Sequence, residues 1–179
     1  MLKPHFQLMA KYNATMNQKI CDSIVNTPED VLWADQNAFF GSIFGTLNHL
    51  MVGDIIWLHR FHSQTSGSGR FMALEQLVDF PLPTMLTQTL YDNKEAFIQH
   101  RQCLDTLIIH FIEETIENDF SKNLTYINTK GILFNKPFSM LLQHFFNHQT
   151  HHRGQITTLL HQIDIDIGET DLLMLINNV

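Results

Sequence analysis

The chain has 179 residues, 44% of them hydrophobic and 16% charged, which fits one domain with a sizeable core and excludes a disordered chain. The net charge is −7 and no dense Lys/Arg cluster occurs, so the chain is not built to coat DNA or RNA through phosphate contacts. Two cysteines without a motif, Cys21 and Cys103, no signal-peptide core at the start and no apolar run of membrane-spanning length predict a cytoplasmic protein.

A first helix is predicted from Pro4 to about Val25. Phe6, Met9, Tyr12 and Met16 form its apolar face, and Asn26-Thr27-Pro28 ends it. A polar connection follows, in which Trp33 is expected to pack onto the helices. A second helix is predicted from about Gln36 to His62, apolar around nearly its whole circumference, with Asp54 and Arg60 as its only formal charges. Such a helix is buried on more than one side. This predicts a core contact on one face and, on the face of Phe40, Leu47, Met51 and Leu58, a second subunit. Gly41, Gly45, His49 and Gly53 fall on a single i+4 row of that helix. Glycine inside a helix costs about 1 kcal/mol relative to Ala. The row therefore implies close packing, or open space around His49.

Ser63 to Arg70 reads as a loop, and Phe71 to Phe80 as a short helical turn. Pro81 and Pro83 introduce a third helix, predicted over 84–118. Leu86, Leu90, Phe97, Leu104, Leu107, Ile108 and Phe111 mark its inner face. The acids at its end, Glu113, Glu114, Glu117 and Asp119, read as a solvated face rather than a metal site. Leu124 to Phe134 alternates around Asn128–Gly131 and predicts a hairpin. A fourth long helix is predicted from Pro137 to Ile163, and a short terminal one over 170–177.

The fourth helix carries the chemistry. His144, His148, His151 and His152 crowd into it. At about 100° per residue, His148 and His152 fall inside the apolar stripe of Phe138, Leu141, Phe145, Ile156 and Leu159. His144 and His151 fall at its edge or outside. Side chains at i and i+4 share a face, so both imidazoles can reach one ion. The plain alternative is a pair of core histidines bonded to carbonyls or water. Four long helices predict a four-helix bundle, and such bundles build metal sites from facing helices. His49 is then the candidate third ligand, with His59 and His62 as alternatives; His100 and His110 read as surface residues. Asp54 and Arg153, charges on largely apolar helices, are expected to pair with each other or to bond the second nitrogen of a ligand histidine. The Glu-x-x-His pairs of a di-iron carboxylate bundle are absent.

Asn48-His49 followed by Asp54, Trp57 and Arg60, then NHQTHHRGQ, then GETDLLMLI, resemble the DinB/YfiT-like superfamily of damage-inducible-type four-helix proteins. The likeness runs over the whole chain, residues 1–179, as a single domain. It implies an all-α up-down-down-up bundle with a small hairpin before the last long helix. It implies one divalent ion, nickel or zinc, held by His49, His148 and His152. It also implies a homodimer, a small-molecule substrate and, as in some relatives, a low-molecular-weight thiol cofactor such as bacillithiol or mycothiol. No catalytic residue is assigned. Three neutral imidazoles leave an ion its full charge and an open position, the pattern of a catalytic site. The expected function is metal-dependent transferase or hydrolase chemistry through an activated water or thiol. The alternative is a non-catalytic metal-binding stress-response protein.

Overall fold

A computed structural model describes residues 1–63 and 70–178; residues 64–69, the body of the expected Ser63–Arg70 loop, lie outside the described residues. The fold is mostly helical with a small two-stranded sheet. Four long helices dominate: α1 (Lys3–Ile24), α3 (Ile43–Ser63), α4 (Lys94–Glu114) and α5 (Phe138–His161). A short α2 (Glu29–Trp33) follows α1, and 3-10 turns occupy Met72–Asp79, Glu117–Ser121 and Leu172–Leu175. Strands β1 (Asn123–Ile127) and β2 (Leu133–Pro137) pair antiparallel, Asn123 opposite Pro137 and Ile127 opposite Leu133, around the expected Asn128–Gly131 turn. Asn128 Oδ1 fixes that turn by accepting from the N–H groups of Lys130 and Ile132, both at 2.9 Å.

α1 packs against α4 and α5, α3 against α5, and α2 and the Met72–Asp79 turn against α3. Buried phenylalanines tie the layers together. Phe61 of α3 stacks on Phe111 of α4 and meets Phe138 and Phe145 of α5 edge-on. Phe6 of α1 stacks on Phe120 and Phe146. Trp33 packs edge-to-face on Phe44, as expected, and its Nε1 donates to Asp92 O.

Several boundaries differ from the sequence reading. The second long helix starts at Ile43, not near Gln36. Gly41 has φ +76° and closes a turn against Ala38, so it lies outside the helical row. Ser42 Oγ accepts from Gly45 N–H at 2.9 Å and caps the helix there. The third helix starts at Lys94, because Asn93 caps it by accepting from Ala96 N–H at 2.9 Å. Residues 84–93 are irregular instead. The terminal helix is only the 3-10 turn at Leu172–Leu175, with none of its residues buried.

The apolar surplus expected on the second long helix is also absent. Leu47, Met51 and Leu58 are buried by the chain's own elements, and Phe40 stands outside the helix. The ground for a subunit interface on that face therefore falls away.

Candidate metal centre

α3 and α5 run side by side with Gly53 facing His148. A Cβ on Gly53 would lie 2.7 Å from His148 Cε1, inside van der Waals contact, so the glycine is what lets the imidazole sit between the helices. Gly45 serves a second close approach: a Cβ there would meet Phe40 O at 2.2 Å. The 38–41 turn thus lies directly on α3 and lays the Phe40 ring on His49, with centroids 3.8 Å apart and planes at 17°. Of the two readings of the glycine row, close packing holds at Gly45 and Gly53, against the Phe40 turn and His148, rather than open space.

His49, His148 and His152 come together. Each offers one ring nitrogen, and the three nitrogens lie within 4.8 Å of one another. Nitrogens bound at about 2.0–2.1 Å to one ion stand within roughly 4 Å of each other, close to the spacing found. His49 and His152 are 7% and 8% exposed, and His148 is half-buried. The remaining nitrogens of two rings are tied down: His49 Nδ1 donates to Leu86 O at 2.8 Å and His152 Nδ1 to Gln155 Oε1 at 2.7 Å. Both rings therefore turn Nε2 toward the cluster, the arrangement in which outer partners fix tautomer and orientation. Burial lowers the pKa of all three and pushes His148 down to about 3, helped by its histidine neighbours. At neutral pH the cluster is three neutral imidazoles, the protonation state a divalent ion requires. The donor set fits such an ion.

Neither His59 nor His62 belongs to the cluster. His62 bonds Glu75 at 3.1 Å, and His59 is half-buried with an unpartnered Nε2. His144 is exposed against Trp57, and His151 is exposed beside His152; both stand outside, as expected. His110 is exposed; His100 stacks on Tyr91 and donates to Ala96 O at 2.7 Å. Glu113, Glu114 and Glu117 are exposed, but Asp119 is buried and paired with Arg70 and Lys122.

The expectation for Asp54 and Arg153 needs correction. Both are buried, yet they bond neither each other nor a ligand histidine. Asp54 takes Arg101 at 2.6 Å, and Arg101 also grips Asp105 at 2.8 and 3.2 Å. Asn13 and Asn17 donate to Asp105, and Arg153 donates to Asn13 Oδ1. Burial raises Asp54 to about 7, against the pull of Arg101. Sequence reasoning missed Arg101 and Asp105, although Phe97, Arg101, Leu104, Asp105 and Ile108 share one helical face, with two charges on an apolar stripe.

It also missed the roles of Asn48 and Leu86. Asn48 Oδ1 accepts from Leu90 N–H at 2.8 Å and Tyr91 N–H at 3.0 Å, while its Nδ2 donates to Tyr91 O and Phe44 O. The residue before His49 thus anchors the irregular segment that supplies Leu86 O. Leu86 was expected on an inner helical face; it is exposed and works through its carbonyl.

A mainly helical chain with two histidines on one helix facing a third across a glycine defines a protein with a three-histidine cluster able to hold a metal ion. The DinB family model matches residues 1–176, and the chain belongs to the DinB family. It is 26% identical over 161 residues to Protein DinB of Bacillus subtilis (strain 168), covering 90% of this chain and 87% of that protein. No solved structure matches the chain.

Proposed function

We propose that this DinB-family chain is a metalloenzyme in which His49, His148 and His152 hold one divalent ion, nickel or zinc, for transferase or hydrolase chemistry on a small molecule. The observation that carries the reading is the convergence of the three ring nitrogens, with two of the rings held from behind by Leu86 O and Gln155 Oε1. When bound, the ion supplies a Lewis acid with an open position, which lowers the pKa of a water or thiol that reaches it.

The chain's own residues do the rest. Phe40 covers His49 and meets His152 edge-on, so it keeps water from that side of the cluster. Beside it runs a groove of about 410 Å³ lined by Phe39, Phe40, His151, Gln155 and Leu159, the scale of a small-molecule site. A low-molecular-weight thiol as co-substrate belongs to the same reading.

The reading takes residues 1–179 as one cytoplasmic domain. No helix among the described residues is long and apolar enough to cross a membrane. It also takes the four long helices as an up-down-down-up bundle. The sense of their contacts supports this: His5 meets Gln143 and Arg153 meets Asn13, so α1 and α5 run together. Gln102 meets Gln18 and Lys3 reaches Glu113, so α4 runs against α1. Gly53 faces His148 and Phe61 faces Phe138, so α3 runs against α5. A homodimer is part of the proposal, through a surface other than the buried face of α3.

The test is a screen of the metal-loaded chain with low-molecular-weight thiols against soluble electrophiles and activated esters. The proposal expects turnover that needs the metal and is lost in His152→Ala. Stoichiometric metal without turnover on any pair would favour the non-catalytic alternative.

A further inference from the structure

The buried polar network contains two arginines and two carboxylates, shared unequally. Arg101 takes both: Asp54 through Nη1, and Asp105 through Nε and Nη2. Arg153, only 5% exposed, forms no direct ion pair among the described residues and reaches Asp105 only through Asn13. Its oxygens are neutral: Asn13 Oδ1, Gln149 Oε1 at 3.4 Å and Thr150 Oγ1 at 3.4 Å. A buried guanidinium that bonds no anion directly is costly, and its planar fork matches a carboxylate in two-point contact.

Arg153 lines a chamber of about 130 Å³ between α1, α5 and the 167–170 segment. A water needs about 10–15 Å³ of such space, so the chamber has room for a small organic molecule. Met16, Ile20 and Ile167 give it apolar walls, and the Tyr12 ring lies under the guanidinium, 5.3 Å away. Three of the hydroxyls around it are already committed as donors. Tyr12 donates to Thr170 O, Thr150 to Phe146 O and Thr157 to Gly154 O. Among the described residues lining the chamber, Arg153 is the one charged donor. A phosphate would bring more charge and more acceptor oxygens than one arginine can satisfy; a carboxylate on a short aliphatic tail matches both the cation and the walls.

We propose that this chamber binds a short-chain aliphatic carboxylate through Arg153, at a site separate from the histidine cluster and independent of whether that cluster holds a metal. The test uses the full chain, treated with EDTA, titrated calorimetrically with sodium butyrate, sodium phosphate and sodium chloride at equal ionic strength. Saturable 1:1 butyrate binding, without matching phosphate or chloride binding, is expected. Arg153→Lys keeps the charge but loses the fork, and should weaken butyrate about tenfold or more. Thr157→Phe, which places a ring at the chamber wall and leaves the arginine in place, should also weaken it. It keeps the test decisive if the arginine variant fails to fold. No saturable butyrate signal would overturn the proposal, as would butyrate binding unchanged in the variants that fold. Butyrate that binds only before EDTA treatment would put the carboxylate at the histidines and overturn it equally.

Discussion

Gly53→Ala separates the fold from the site in a single substitution. The added methyl would stand 2.7 Å from His148 Cε1, 3.3 Å from Nδ1 and 3.6 Å from Nε2, so contact falls on one imidazole and not on backbone. A half-buried ring can swing aside. The overlap costs about 1–3 kcal/mol if everything stays in place, and less if the ring moves. Replacing a helical glycine by alanine returns about 1 kcal/mol. The metal-free variant should therefore unfold in urea within about 1 kcal/mol of the wild type. The displaced ring is nonetheless one of the three proposed ligands. Metal affinity should fall at least as far as when an outer partner of a ligand is lost, about 10–100-fold. Competition with a chromophoric chelator reads affinity, and urea unfolding after EDTA reads stability. Unchanged affinity with an intact fold would show that His148 is not where the metal is held, and the reasoning from Gly53 would fail.

Three further outcomes follow from the same geometry. Gln155→Ala frees His152 Nδ1 and should weaken metal binding about 10–100-fold with little change in unfolding; equal affinity would remove Gln155 from the site. Arg101→Ala strands Asp54 and Asp105 without their cation and should cost about 3–5 kcal/mol in urea unfolding; a loss under about 1 kcal/mol would refute the network's role. His148, lowered from 6.5 to about 3, stays neutral in the folded protein while its unfolded form binds a proton. The stability of the metal-free wild type relative to His148→Gln should therefore fall as pH drops from about 6.5 toward 3, the unfolded state binding more protons throughout that window. Comparing the two cancels the opposite trend from Asp54, and a pH-independent difference would contradict the assignment.

Local signals carried much of the architecture. Pro137 marked the start of α5, the Asn128–Gly131 turn marked the hairpin, and His148 and His152 stood out because they occupy positions where leucines belong. The misses are non-local. Residues 84–93 have helical composition after two prolines, but Asn48, more than forty residues away, captures their backbone and turns Leu86 O toward His49. Gly41 fits a helical row by spacing, yet its positive φ closes the turn that lays Phe40 on the cluster. The sequence reading expected Asp54 and Arg153 to pair with each other or to bond a ligand histidine, which weighs charges on α3 and α5 only. Arg101 and Asp105 sat on the apolar stripe of α4 and changed the pairing. The overestimate of free surface on α3 has the same origin: the Met72–Asp79 turn and α2 are too short to project as packing layers, but both cover that helix.

The oligomeric state is open to a separate check. Light scattering at micromolar concentration should give the mass of two chains, 20.8 kDa each, and a monomer across that range would remove the dimer from the proposal.

The most direct test of the central claim is metal content per chain. Purified wild-type protein, loaded with nickel or zinc, dialysed and analysed by mass spectrometry of the metals, should carry one ion per chain. His49→Ala, His148→Ala and His152→Ala should each carry close to none under the same dialysis while keeping the wild-type circular dichroism, and His144→Ala and His151→Ala should keep the ion. A wild-type chain that retains no metal, or triad variants that retain it in full, would contradict the assignment of His49, His148 and His152 as one metal centre.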